Sequence, residues 1–177
     1  MNAPLSVVYE QFCFILGEFW MTEEYGLPVG ATLPNFSAHN DENIVHQLNS
    51  LMGENGLLLA FVYGTWCATC IQALHSLTRY APQLQKEGVN IAAVLIDEPK
   101  ELYNFKISSP RPILFPLLAD KDESIHNLYQ ADSAKVYMIV DRNFVLRHKF
   151  VDFDGTQKPN LPTLLAAIQD IMPVTDN

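Results

Sequence analysis

Two cysteines separated by two residues stand in the run Gly64-Thr65-Trp66-Cys67-Ala68-Thr69-Cys70. If this run opens a helix, residues three apart share one face of its first turn, so the two sulfurs can form and reopen a disulfide without large backbone movement. The leading sulfur then sits among unsatisfied backbone N–H groups at the positive end of the helix dipole, which favours thiolate over thiol. Cys67 is therefore the candidate nucleophile. Cys70, one turn inside, is more shielded and suited to attack a mixed disulfide formed at Cys67, releasing the substrate reduced. Thr65 and Thr69 are candidate hydrogen-bond donors to a thiolate, or caps for the helix. No Lys or Arg precedes Arg79, so any cation that lowers the Cys67 pKa must come from later in the chain. A zinc site would need two further ligands, and His39, His46, His75, His126 and His148 offer neither a second Cys-x-x-Cys nor a His-x3-5-His spacing. No metal or other cofactor is expected, and His75 reads as ordinary helix surface. A permanently buried or oxidised pair is the inert alternative.

The elements around the pair must place it at a strand-to-helix turn. Residues 57 to 63 are a continuous apolar run, as in a strand covered on both faces. Ile71, Leu74, Leu77, Ala81 and Leu84 recur at helical spacing over 70 to 85, where Pro82 is expected to bend or end the helix. Gly88 stops it, and 89 to 96 form a second apolar strand, completing a βαβ unit with a right-handed crossover. Beyond lie a helix over 100 to 106, a loop at 108 to 112, and a short strand over 113 to 118 in which Pro116 marks an edge or bend. A short helix follows over 122 to 129. Strands at 136 to 140 and 144 to 150 are joined by Asp141-Arg142-Asn143, and a last helix over 161 to 171 is opened by Asn160 and Pro162.

At the amino terminus, Val8, Phe12, Ile15, Leu16 and Phe19 lie on one face of an amphipathic helix. That stripe covers the domain's own core or, with Phe14 and Trp20 outside it, contacts a partner, including a second copy in a homodimer. Cys13 on this helix reads as a small buried hydrophobe. The chain divides into an extension over 1 to 25 and one domain over 26 to 177, with 26 to 34 as a connecting loop. With 177 residues, 49% hydrophobic and 18% charged, it can build a single sizeable core. A net charge of −9 repels phosphate backbones and argues against nucleic acid as a partner. The longest strictly apolar run has seven residues, against the ~20 of a membrane-spanning helix, so no membrane span is expected. The cation-free amino terminus lacks the charges of a secretory or mitochondrial leader, so the expected address is cytoplasmic.

Over about residues 29 to 155 the chain resembles the thioredoxin-fold redoxins, which include the TlpA/ResA-type thiol:disulfide oxidoreductases and the AhpC/TSA group with its peroxiredoxin-like members. The resemblance rests on Val29-Gly30 with Leu33-Pro34-Asn35-Phe36, on Phe61-Val62-Tyr63 running into the cysteine turn, on Phe115-Pro116-Leu117-Leu118-Ala119-Asp120, and on Met138-Ile139-Val140-Asp141. It implies an α/β, thioredoxin-like fold: a central mixed β-sheet flanked by helices, here with an additional N-terminal helix. It also implies Cys67 as attacking residue, Cys70 as resolving residue and Trp66 as a shield beside them.

Three positions depart from that pattern. The site where thioredoxins hold a cis-proline falls near Lys135 or Val136. Phe61 stands where they bury an acid, six residues before the first cysteine. Peroxiredoxins show Pro-x3-Thr/Ser-x2-Cys, but counting back from Cys67 finds Ala60 and Gly64, and from Cys70 finds Tyr63 and Cys67. Lys135 can be read as a cation that stabilises the Cys67 thiolate or as a solvated lysine on a strand edge. Residues 55 to 78 hold no formal charge, so an apolar rim around the thiols is expected.

The resulting expectation is a thiol-disulfide oxidoreductase using Cys67-Ala68-Thr69-Cys70. Its substrates would be protein or small-molecule disulfides, with a thiol reductant as electron source. The alternatives are a peroxiredoxin-like thiol peroxidase acting on a peroxide, and a redox-sensing or metal-binding adaptor without catalysis.

Overall fold

The run Gly56–Val62 contains no polar side chain, and it forms a strand (β3) in which every residue is buried. A strand that is apolar on both sides must be covered on both sides, and this one is the middle strand of a five-stranded sheet. The computed structural model describes residues 25–172. The expected amino-terminal helix, Cys13 on it and the homodimer contact assigned to it lie outside the described residues.

The strands β4 (Val89–Leu95) and β5 (Leu117–Ala119) run parallel to β3 on one side. On the other side β6 (Lys135–Asp141) runs antiparallel to β3, and β7 (Leu146–Asp152) runs antiparallel to β6, which gives the strand order β5-β4-β3-β6-β7. The sheet is therefore mixed, flanked by helices, and the fold is α/β and thioredoxin-like.

Alternation along β3 sorts the core into two layers. Leu58, Ala60 and Val62 face the helices Ala68–Lys86 (α2) and Leu161–Gln169 (α5), meeting Cys70, Leu74, Leu77, Leu164 and Ile168. Leu57, Leu59 and Phe61 face the other way, against Phe36, Leu118, Tyr129 and Met138. Burying each such Leu contributes about 1.5–3 kcal/mol. The strand that leads into the cysteine turn is thus buried in the core on both faces.

Several boundaries differ from the sequence reading. Pro82 does not end α2, which continues to Lys86 because Ala81 and Leu84 bury the last turns in the core. The strand expected over 113 to 118 pairs only as Leu117–Ala119; Pro116 lacks an N–H, although its carbonyl accepts from the Ala93 amide at 3.1 Å. The helices expected over 100 to 106 and 122 to 129 are Pro99–Ser108 (α3) and Ser124–Leu128 (α4). A hairpin of Ser37–His39 (β1) and Val45–Gln47 (β2), with the short helix Leu48–Leu51 (α1), was not anticipated. Its strands are too short and polar to show a period of two. A side chain shapes its turn instead: Asn40 Oδ1 accepts the amides of Glu42 and Ile44 at 3.0 and 2.8 Å. Among the described residues no helix is long and apolar enough to cross a membrane.

At the end of β5, Asp120 caps α4 from inside the protein. It accepts the amides of Ile125 and His126 and the His126 ring, Nδ1 to Oδ2 at 2.7 Å, while that ring packs edge-on against Phe61. Burial pushes the Asp120 pKa up, but these hydrogen bonds outweigh it and hold the carboxyl below its usual range. A depressed carboxylate stabilises the fold above the unfolded pKa of about 3.9, and this contribution is lost as pH falls through the lower folded value. Asp120→Asn should therefore cost about 1–3 kcal/mol near pH 7 and flatten the acid limb of a urea-denaturation series across pH 2 to 7. An unchanged acid limb would show that Asp120 carries no such linkage.

Candidate active site

The turn between β3 and α2 carries the pair. Cys67 is the residue immediately before the helix, with extended backbone (φ −96°, ψ 115°), and its carbonyl accepts the first helical bond from Ile71 at 3.0 Å. The turn is pinned to the end of β4: the Ile96 amide donates to the Tyr63 carbonyl at 2.7 Å, and the Thr65 amide donates to Asp97 Oδ2 at 2.6 Å. Burial pushes the Asp97 carboxyl up, with the Thr65 hydrogen bonds acting against it. Asp97 was not singled out from the sequence. Its signal was its place just past an apolar parallel strand, where such sheets collect their sites.

The two sulfurs occupy different environments. Cys70 is fully buried, and Cys67 is half-buried. Partial burial pushes Cys67 up, but the Cys70 thiol, the Thr69 hydroxyl at 3.3 Å and the amides of both residues outweigh it and hold Cys67 below the ordinary thiol value. Cys70 is pushed up to about 11, first by burial and then by donating its own hydrogen to Cys67. Tyr63 is also pushed up, first by burial and then by the charge of Cys70 and Cys67, which keeps its phenol neutral beside them.

The other predicted residues divide. Thr69 touches the Cys67 sulfur, whereas Thr65 gives its amide to Asp97 and serves the turn. Trp66 stands out from the surface, 70% exposed, with its ring tilted toward Tyr63 and lying over Gly64, where an added Cβ would come within 2.4 Å of the indole Nε1. His75 is half-buried against the Phe105 ring. The expected proline position is the start of β6, where Lys135 and Val136 join a trans backbone. Phe61 packs on His126 and Tyr129 in the layer away from α2.

Lys135 is neither solvated nor on an edge, because β6 lies inside the sheet between β3 and β7. Its ammonium lies 3.6 Å from Asp152 Oδ2, directly across the β6–β7 pair, so its charge is met by that carboxylate.

Lys135 and Tyr137 alternate onto the face of β6 that α2 covers, and Tyr137 is in the same core layer as Cys70. The Tyr137 phenol is pushed up, first by burial and then by the charges of Asp152 and Cys70. Lys135 Nζ, Tyr137 Oη and Asp152 Oδ2 are all buried without a hydrogen-bond partner among the described residues. The other Asp152 oxygen accepts the amides of Gly155 and Gln157 at 2.8 and 3.1 Å, which folds the loop 153–157 over the cysteine turn. Gly155 has φ +93°, and a Cβ there would meet Thr69 Cγ2 at 2.9 Å, so the close seat on Thr69 requires glycine. This buried polar group was missed because Asp152 comes into play only through the β6–β7 register.

Residues 29–151 match the family model of the AhpC/TSA family. The thiol-disulfide oxidoreductase ResA of Geobacillus thermodenitrificans is 32% identical over 124 residues, 70% of each chain, and that of Geobacillus kaustophilus is 30% identical over 142 residues, 80% of each. Among solved structures, peroxidoxin BcpB from Mycobacterium tuberculosis superposes with a TM-score of 0.73 at 13% identity, covering 83% of this chain and 99% of that one. AhpC from Enterococcus faecalis gives 0.70 at 14% identity, covering 80% and 90%.

Two substitutions test the geometry. Cys70→Ala removes the thiol that donates to Cys67, so the pH midpoint of Cys67 alkylation should rise, and Cys70→Ser, which keeps a donor, should restore part of the shift. An unmoved midpoint in Cys70→Ala would exclude that hydrogen bond. Asp97→Ala leaves the Thr65 amide unpaired, which should lower stability by about 1–3 kcal/mol in denaturant titrations; a neutral effect would show that the turn is held by other contacts.

Proposed function

The chain belongs to the AhpC/TSA family, and from that membership we propose that this oxidoreductase is a thiol-disulfide exchanger cycling Cys67 and Cys70 between dithiol and disulfide. The observation that carries the reading is the opposite displacement of the two thiols, Cys67 held below its ordinary value and Cys70 pushed up to about 11 within one helical turn. A low-pKa, accessible sulfur attacks from outside, and a protonated, buried partner waits until a mixed disulfide forms. The ResA relatives support the same reading.

In the first step the Cys67 thiolate attacks a substrate disulfide; a Cys67–sulfur bond forms, the substrate S–S bond breaks, and one half leaves as thiolate. In the second step Cys70 loses its proton and attacks the Cys67 sulfur, closing the Cys67–Cys70 disulfide and releasing the other half. Two electrons pass from the protein to the substrate, and an external thiol reductant restores the dithiol. The Cys70 proton must go inward, because the sulfur is fully buried. Asp152 is the base assigned to receive it: its Oδ2 accepts no hydrogen bond, faces the Lys135 ammonium at 3.6 Å and shares the face of the sheet that carries Tyr137, whose hydroxyl is under the charge of both Asp152 and Cys70. Exposed Trp66 and half-buried Tyr63 give the incoming disulfide an apolar rim.

Insulin reduction in the presence of dithiothreitol tests the reading. Acceleration is expected, lost in Cys67→Ser, with mixed disulfide accumulating in Cys70→Ser. Asp152→Asn should slow the second step by about 10²-fold or more, the usual scale of a lost general base, while Cys67 alkylation stays fast. No acceleration, together with peroxide consumption supported by the same dithiol, would overturn the reading in favour of a thiol peroxidase.

A further inference from the structure

The sequence holds 11 Lys and Arg against 20 Asp and Glu, yet one hollow beside α2 is lined by cations and by no acid. Its volume is about 370 Å³, and its walls include Gln72, His75, Ser76 and Arg79 of α2, Arg111 of the loop after α3, and Lys158. Elsewhere Lys106, Lys121, Lys135 and Arg147 each meet a carboxylate. Arg79, Arg111 and Lys158 meet none among the described residues, and Arg79 donates to the Ser76 hydroxyl at 3.3 Å. Three like charges facing one space repel one another, and an anion between them removes that repulsion.

The hollow lies along the helix that begins at Cys67. Gln72, His75, Ser76 and Arg79 follow the three-and-four spacing of one helix face, which begins at Ala68 beside Cys67. At 1.5 Å per residue, Gln72 lies about 8 Å and Arg79 about 18 Å along the axis from Cys67. Helical side chains lean back toward the amino end, which brings the Arg79 guanidinium nearer the sulfur. Lys158 extends the loop that Gly155 seats on Thr69. A carboxylate on the order of 10 Å from a sulfur bound at Cys67 therefore reaches these cations. Guanidinium groups suit carboxylates because their forked donors bind both oxygens.

We propose that this hollow is the anion subsite of the thiol-disulfide reaction, selecting acidic, peptide-sized disulfides with a carboxylate about 10 Å from the sulfur. The proposal rests on the thiol-disulfide reading above and adds its substrate class. Cys67 attacks one sulfur of the acidic disulfide, releasing one half as thiolate. Cys70, giving up its proton, then attacks Cys67 and releases the half held in the hollow. A local cation cluster is also the means by which a chain of net charge −9 attracts an anion.

Oxidised glutathione is the probe, its ethyl ester the control of similar shape with fewer charges, and S-methylglutathione binding to the Cys67→Ser protein the readout independent of turnover. The combined substitution Arg79→Gln and Arg111→Gln should raise KM for oxidised glutathione about tenfold, raise it far less for the ester, and weaken S-methylglutathione by a similar factor. Added salt should act in the same direction on the wild type. A KM that ignores both arginines, or no binding of S-methylglutathione by a protein that still reduces insulin, overturns the subsite and leaves the thiol-disulfide reading standing. Arginine-dependent binding in a protein that reduces neither insulin nor glutathione overturns the substrate assignment together with that reading.

Discussion

Unequal burial of two sulfurs one helical turn apart is the constraint on which this site depends. Cys70 must lie in the core because it shares the face of α2 that carries Ala73, Leu74 and Leu77 against β3. Cys67 stays outside because the helix begins at it and the chain has only just left the sheet. The same packing that stabilises the domain therefore raises one thiol and, through the donated hydrogen bond, lowers the other. Any change that lifted Cys70 out of the core would bring the two thiols toward the same value.

Holding that inequality requires anchors from distant parts of the chain. Asp97, at the end of β4, fixes the Thr65 amide, and Asp152, at the end of β7, folds the loop of Gly155 onto Thr69. Both carboxylates are themselves buried, a costly placement that only satisfied hydrogen bonds or an ion pair sustain. Asp97 is compensated by the turn it holds. Asp152 is compensated on one oxygen by two amides and on the other by the Lys135 ammonium at 3.6 Å, too long for a hydrogen bond. A buried acid with one oxygen that accepts no hydrogen bond is unusual in a core that is otherwise close-packed, and the Tyr137 phenol, which feels the charge of both Asp152 and Cys70, gives that oxygen a chemical use on the proposed reading.

What the sequence made legible was what periodicity and spacing encode. The apolar run of β3, the helical recurrence in α2 and the cysteine spacing were sufficient to place a thiol pair at a strand-to-helix turn. Long-range pairing was not legible. Lys135 read as an edge or thiolate-facing lysine because nothing in its neighbours shows that β6 lies between two strands, and Asp152 becomes its partner only through cross-strand register. Pro82 read as a bend or an end of the helix because local sterics oppose it, but burial of Ala81 and Leu84 carries the helix on to Lys86. The β1–β2 hairpin escaped because Asn40 makes its turn through side-chain hydrogen bonds rather than a hydrophobic pattern.

The central claim is most directly tested by a redox titration of the full chain, equilibrated in dithiothreitol buffers of graded poise and read by differential alkylation and mass spectrometry. The account predicts that Cys67 and Cys70 convert together and reversibly, with the two-electron slope of about 30 mV per tenfold change in the ratio of the two forms. Cysteines that convert independently, or that stay alkylatable across the whole range, would contradict it.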